Sequence, residues 1–212
     1  MNIRTILFDL DGTLIDTNEL INASFRHTFE HYKLTFTPEE ILEFNGPPLI
    51  DTFQKINPEK AEEMIATYRE HNMAVHDHYV MAFPKVLETI EQLQQRGISL
   101  GIVTTKMRPT VNMGLALTGL DRFFDTIVTI DDVTHPKPHA EPVLKAMEEL
   151  NGDASTTLMV GDNHHDIESG KNAGVLTAGV AWSLKGKERL LNHHPTYMLD
   201  EMTDLLRIAG VY

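Results

Sequence analysis

Hydrophobic and polar positions along the chain follow two different rhythms. Residues 3–9 form a short apolar run rich in β-branched and aromatic side chains that stops at Asp11-Gly12, the pattern of a buried strand leaving a parallel sheet. Comparable runs recur at residues 98–104, 126–130, 157–161 and 175–182, with helix-period patterns between them. Pro84 opens one helix, with Val86, Ile90 and Leu93 on a face and Gly97 closing it. A second spans residues 109–118 and stops at Gly119, and a third, around Ile167, stops near Gly174. This alternation predicts an α/β fold built on a doubly wound, Rossmann-like parallel sheet.

Between residues 16 and 83 the strand rhythm lapses and helix signals take over. Ile21, Phe25, Phe29 and Tyr32 line one helical face. Thr37-Pro38-Glu39-Glu40 supplies an N-cap threonine, a first-turn proline and a capping-box glutamate, and Asn57-Pro58 opens a longer helix carrying Met64, Ile65 and Tyr68. The expected organisation is a core of residues 1–15 and 84–212 with an all-helical cap, residues 16–83, inserted over the carboxyl edge of the sheet. A chain of 212 residues suffices for one full core and a small second lobe.

Composition then restricts the chemistry. There is no cysteine, so disulfides and thiolate chemistry are excluded and any site rests on oxygen and nitrogen. Eighteen basic residues against 31 acidic ones give a formal charge of −13, which disfavours nucleic acid or an anionic membrane as partner. No apolar run approaches the ~18 residues of a membrane span, and the start of the chain enters a strand pattern without a signal-peptide layout, so a cytoplasmic location is expected. An anionic ligand would need a local cluster of positive groups or a metal ion.

Candidate chemistry gathers at strand ends, where open α/β sheets bind ligands. Asp9-Leu10-Asp11-Gly12 presents two carboxylates suited to an oxygen nucleophile and an acid/base, although alone it also reads as an aspartate-rich turn. Thr104, with Thr105 beside it and backbone N–H groups following, can hold a phosphoryl oxygen. Lys137 stands between Pro136 and Pro138, which limit where its ammonium reaches. Asp162 ends another strand, Asp166 follows one helical turn later, and acidic oxygens near Asp9 suit Mg²⁺.

Taken together, Asp9-x-Asp11-Gly12-Thr13, Thr104, Lys137 and Gly161-Asp162-x-x-x-Asp166 resemble the four motifs of the haloacid dehalogenase superfamily. That resemblance implies that Asp9 is nucleophile and metal ligand and that Asp11 is the acid/base, its backbone carbonyl also meeting Mg²⁺. It further implies that Thr104 and Lys137 hold the transferring phosphoryl group and that Asp162 ligates the metal. Asp166 would orient Lys137 or complete the second shell. Asp11 itself favours phosphoryl over halide chemistry, because a halide leaving group needs no proton. One position departs from the pattern: the proline usual two residues after Lys137-Pro138 is here Ala140.

Within the superfamily, Asn18-Glu19-Leu20-Ile21, residues 46–53 and Val111-Asn112-Met113-Gly114-Leu115 are similar to inorganic pyrophosphatases of the kind associated with HPr kinase/phosphorylase. Mg²⁺-dependent hydrolysis of pyrophosphate through an aspartyl-phosphate is therefore expected. A phosphoglycolate-type ester phosphatase or a sugar phosphomutase is the alternative on the same core. The stiff, small Gly46-Pro47-Pro48 loop suits a compact substrate and is the expected specificity loop of the cap, with Lys55 or Arg69 as candidate contacts to the leaving phosphate. A monomer is the favoured oligomeric state. Adjacent His164 and His165 are expected to point in different directions rather than form a metal site, and His71, His76, His78, His193 and His194 are expected at the solvated surface.

Overall fold

A computed structural model of the chain describes residues 3–124 and 126–211; Met1, Asn2, Asp125 and Tyr212, which fall within the expected core bounds, lie outside the described residues. The chain divides into two compact units, Met1–Asp16 with Met81–Tyr212 and Thr17–Val80. The first unit begins with β1 (Thr5–Phe8), buried along its whole length, and a two-residue strand β2 (Ile15–Asp16).

The regular elements described in the second unit are all helices: α1 (Asn18–His31), α2 (Pro38–Glu43), α3 (Leu49–Ile56) and α4 (Ala61–Tyr79). The capping box at α2 is complete, since Thr37 Oγ1 accepts from the Glu40 N–H at 3.2 Å and Glu40 Oε2 accepts from the Thr37 N–H at 2.7 Å. Asn57 caps a short 3₁₀ turn, Pro58–Lys60, through its side-chain oxygen before α4 starts. One local expectation is revised. Tyr32 lies one residue past α1, as its C-cap, while the Gly46-Pro47-Pro48 loop ends where α3 begins at Leu49. This unit has its own core of Phe25, Phe29, Ile41, Phe53, Met64, Ile65 and Tyr68. Phe25 is its hub, with ring centroids of Phe29, Phe53 and Tyr68 at 5.7, 5.7 and 4.8 Å.

The chain re-enters the first unit through β3 (Met81–Ala82), which pairs antiparallel with β2. The alternating pattern then appears as read: α5 (Val86–Gln95), β4 (Ser99–Val103), α6 (Arg108–Thr118), β5 (Thr126–Val128), α7 (Glu141–Glu149), β6 (Thr157–Gly161), α8 (His164–Asn172) and β7 (Leu176–Val180). Beyond the sequence reading lie α9 (Lys187–Leu191), an edge strand β8 (Tyr197–Leu199) and α10 (Asp204–Ile208). The strand order is β5-β4-β1-β6-β7-β8, every pair parallel. Val143 and Ala146 of α7 pack on Leu7, Val103, Val128 and Met159 of four adjacent strands, covering one face of the sheet. Among the described residues no helix is long and apolar enough to cross a membrane.

Because β1 lies between β4 and β6, the chain winds outward in both directions from it, and the crevice at that switch point is where such sheets take ligands. Phe53→Ala in the helical unit, where the ring is 0% exposed, is expected to cost about 3–5 kcal/mol. Loss of the α2 cap in Thr37→Ala is expected to cost only about 1 kcal/mol. Urea unfolding followed by far-ultraviolet circular dichroism checks the ranking, and a reversed order would deny the aromatic core its stabilising role.

Candidate active site

Strand register alone brings three of the sequence-identified groups together. Phe8 is level with Ile102 of β4 and Val160 of β6, so Asp9, Thr104 and Asp162 all leave the carboxyl edge on adjacent strands. Backbone hydrogen bonds hold the exits: the Asp9 N–H donates to Val160 O at 2.8 Å and the Thr104 N–H to Val128 O at 2.9 Å. Two glycines make room. Gly12 sits at φ 77°, and a Cβ there would run into the Asp162 carboxylate; a Cβ at Gly161 would run into that of Asp166. The backbone carbonyl of Asp162 is anchored by Ser183 Oγ at 2.7 Å.

Lys137 reaches into this edge and is 4% exposed. Its Nζ donates to Asp166 Oδ1 at 2.6 Å, Val103 O at 2.8 Å and Asp9 Oδ1 at 2.9 Å. The other oxygen of Asp166 accepts from the Asn163 N–H at 2.9 Å and completes the capping box that starts α8. One carboxylate therefore fixes both a helix start and the lysine. Burial pushes the Lys137 ammonium down, yet the carboxylates of Asp166 and Asp9 outweigh it and the net direction is up, so the lysine stays charged.

Carboxylates crowd the same space. Burial, opposed by Lys137 and reinforced by Asp166 and Asp11, raises Asp9 to about 7. Asp162 is also raised well above 3.8, by burial first and then by Asp9 and Asp166. Ligand oxygens of Asp9, Asp162 and Asp166 lie within 4.8 Å of one another, an all-oxygen donor set. The arrangement favours a bound cation, because ionising neighbouring buried carboxylates together costs free energy that a positive charge offsets.

Lys106 was missed by the sequence reading. Its Nζ donates to Asp11 Oδ1 at 2.7 Å, and the two side chains are 12% and 20% exposed. The signal was its place two residues after Thr104, within a segment read only for its threonines. Thr104 is 5% exposed and its Oγ1 accepts the Lys106 N–H at 3.2 Å, while Thr105 is half-buried in the same loop. Gly46, at φ 108°, and Pro47 belong to the helical unit, between α2 and α3.

The histidines require correction. The rings of His164 and His165 do not diverge: at the first turn of α8 their centroids are 4.1 Å apart. His165 is pushed down to about 4, by burial and then by His164, and is neutral near pH 7. His76 is 0% exposed inside α4 rather than at the surface, with Nδ1 2.8 Å from Asp77 Oδ1. His71 is half-buried and stacks on His27 at 4.3 Å, and His193 is half-buried beside Glu168 at 3.1 Å. His78 and His194 are exposed as expected.

A sequence model described as haloacid dehalogenase-like hydrolase matches residues 6–180, most of the chain. The chain belongs to that family. This hydrolase is 62% identical over 210 residues to the pyrophosphatase PpaX of Oceanobacillus iheyensis, covering 99% of this chain and 98% of that one. It is 57% identical over 212 residues to the pyrophosphatase PpaX of Anoxybacillus flavithermus, covering 100% and 99%. Its fold superposes with a TM-score of 0.86 on a haloacid dehalogenase-like family hydrolase from Streptococcus pneumoniae at 26% identity, over 97% of this chain and 98% of that one.

The raised carboxylates of this hydrolase have a stability signature. A carboxyl whose folded pKa exceeds its unfolded value binds more protons when folded, so its contribution to stability falls as pH rises, for Asp9 between about pH 4 and pH 7 and for Asp162 in the same sense. The lowered His165 works in the opposite sense between about pH 4 and 6.5. Comparing the wild type with Asp162→Asn, both chelator-treated, isolates the carboxylates. The variant is expected to gain in Tm relative to the wild type as pH rises from about 5 to 8; a constant or shrinking gap in thermal melts would contradict the crowding.

Proposed function

We propose that this hydrolase cleaves inorganic pyrophosphate to two orthophosphates, using Mg²⁺ and an aspartyl-phosphate intermediate on Asp9. The observation that carries the reading is the buried Asp9 carboxylate, held by Lys137 at 2.9 Å in an all-oxygen acidic cluster. The choice of pyrophosphate is supported by relatives named pyrophosphatase at 57–62% identity over essentially the whole length of both chains. The reading calls for a small phosphorylated substrate and for no nucleic-acid or membrane partner.

The donor chemistry fits Mg²⁺. Asp166 already has one oxygen on Lys137 and the other on the Asn163 N–H, so Asp9 and Asp162 are the side chains that would hold the ion, with the Asp11 backbone carbonyl as family resemblance implies. Both carboxyls resist ionisation without a cation, which is the behaviour of a site built around one. When bound, Mg²⁺ would supply charge neutralisation at the phosphoryl oxygens.

The side chains then divide the work. Lys137 fixes Asp9 through Oδ1, so Oδ2 is the oxygen that attacks phosphorus in line. The new Oδ2–P bond forms as the bond from phosphorus to the bridging oxygen breaks, and Asp11 gives its proton to that departing oxygen. Thr104 and Thr105 steady the transferring phosphoryl group while the Lys137 charge offsets its negative oxygens. A water then attacks the phosphorus and loses a proton to Asp11 while the Oδ2–P bond breaks and returns its electron pair to Asp9, releasing orthophosphate.

Phosphate release is to be measured with and without Mg²⁺ on pyrophosphate, phosphoglycolate, β-glucose 1-phosphate and p-nitrophenyl phosphate. Pyrophosphate is expected to lead by more than about tenfold in kcat/KM, roughly 1.4 kcal/mol of discrimination, with activity lost on chelation. An ester in the lead would overturn the substrate; retained turnover in Asp9→Asn would overturn the nucleophile. Asp11→Asn is expected to lower kcat by about 10²–10⁴-fold, the usual range for a positioned acid/base, with unchanged circular dichroism.

A further inference from the structure

The proposed reaction transfers one phosphoryl group and expels another, and both are anionic. Lys137 cannot attend to both. An ammonium has three N–H groups, and those of Lys137 are directed at Asp166, Asp9 and Val103 O. Lys106 differs. Among the described residues its Nζ makes one such contact, to Asp11 Oδ1 at 2.7 Å, and it is more exposed than Lys137.

Its backbone is nonetheless held on both sides, the N–H on Thr104 Oγ1 at 3.2 Å and the C=O accepting from the Ile130 N–H at 3.2 Å. The ammonium is therefore tethered at the carboxyl edge while its tip remains able to change partner. The nearby Arg108 is committed elsewhere, to Asp132 Oδ2 at 2.5 Å and Ile127 O at 2.7 Å.

Asp11 supplies the direction. On the proposed mechanism the Asp11 carboxyl reaches the bridging oxygen, and the Lys106 ammonium, 2.7 Å from Asp11 Oδ1 and partly exposed, is then within reach of the second phosphoryl group attached to that oxygen. The departing orthophosphate is then the anion beside that ammonium. We infer that Lys106 binds the leaving phosphate of the substrate, its ammonium passing from Asp11 to the second phosphoryl group as the substrate enters. This inference rests on pyrophosphate being the substrate. In the cleavage step the bridging oxygen leaves with the electron pair of the broken P–O bond, takes the Asp11 proton, and departs as orthophosphate paired with Lys106.

The test compares wild type, Lys106→Met and Lys106→Arg with Mg²⁺ on three substrates: pyrophosphate, p-nitrophenyl phosphate, and β-glucose 1-phosphate, whose leaving group is uncharged and strongly basic. Lys106→Met is expected to lose about 10- to 100-fold in kcat/KM on pyrophosphate, the worth of a charge-assisted hydrogen bond, with esters changed less than about threefold. Lys106→Arg is expected to recover part of the loss. If Lys106 acted only by positioning Asp11, the ester with the basic leaving group would fall at least as far as pyrophosphate, which would overturn the inference, as would an unchanged pyrophosphate rate. Lys106→Gln gives the same comparison should the methionine variant fail to fold. A wild type that prefers esters would sink the proposed substrate instead, so the two failures are read on different proteins.

Discussion

The ammonium of Lys137 is 4% exposed, and burying a lone ammonium is prohibitive unless fixed anions and carbonyls replace the water it gives up. Here the replacements are Asp9, Asp166 and the Val103 carbonyl, drawn from the ends of β1 and β4 and the start of α8. The ion pair thus ties together chain segments more than a hundred residues apart. Removing either carboxylate would leave the charge underpaired, and removing Asp166 would also open the cap of α8, because its second oxygen closes that capping box. Structural and chemical demands on Asp166 are satisfied by the same side chain.

The same dependence explains the glycines at the edge. Carboxylates can meet at such distances only where backbone approaches closely without a Cβ, and Gly12 and Gly161 lie where Asp162 and Asp166 would otherwise be displaced. The resulting excess is local: Asp9, Asp11, Asp162 and Asp166 face two ammonium groups, those of Lys106 and Lys137. A chain with a net charge of −13 can therefore take an anionic substrate provided a cation completes this cluster, since short-range fields in a buried crevice outweigh screened surface charge.

Much of this was legible in the sequence because the signals were periodic or covalent in range. Three of the five strand runs end at chemistry-bearing residues and place Asp9, Thr104 and Asp162 at one edge by register alone, and Thr37-Pro38-Glu39-Glu40 contains its whole cap within four residues. What escaped depended on partners far along the chain. The Lys106–Asp11 pair spans 95 positions and leaves no local pattern, since a lysine after a strand usually reads as surface. His76 looked solvated because its helix is polar on most sides, and the edge strand Tyr197–Leu199 is only three residues long, too short for alternation to declare itself.

Two lysines at one sheet edge, differing in commitment, offer more than two copies of one charge. Lys137 is caught between prolines, buried, and bonded through all three N–H groups, so its charge is preorganised and, on the proposed reading, costs no rearrangement when charge develops on the transferring group. Lys106 pairs with Asp11 and keeps its tip partly exposed, so on the proposed reading it can exchange that partner for an entering phosphate. A leaving group that carries its own negative charge gains from such a cation, whereas an alcohol does not. On the reading proposed above, discrimination between an anhydride and an ester therefore has a source within the α/β unit itself, in the contrast between a fixed ammonium and an exchangeable one.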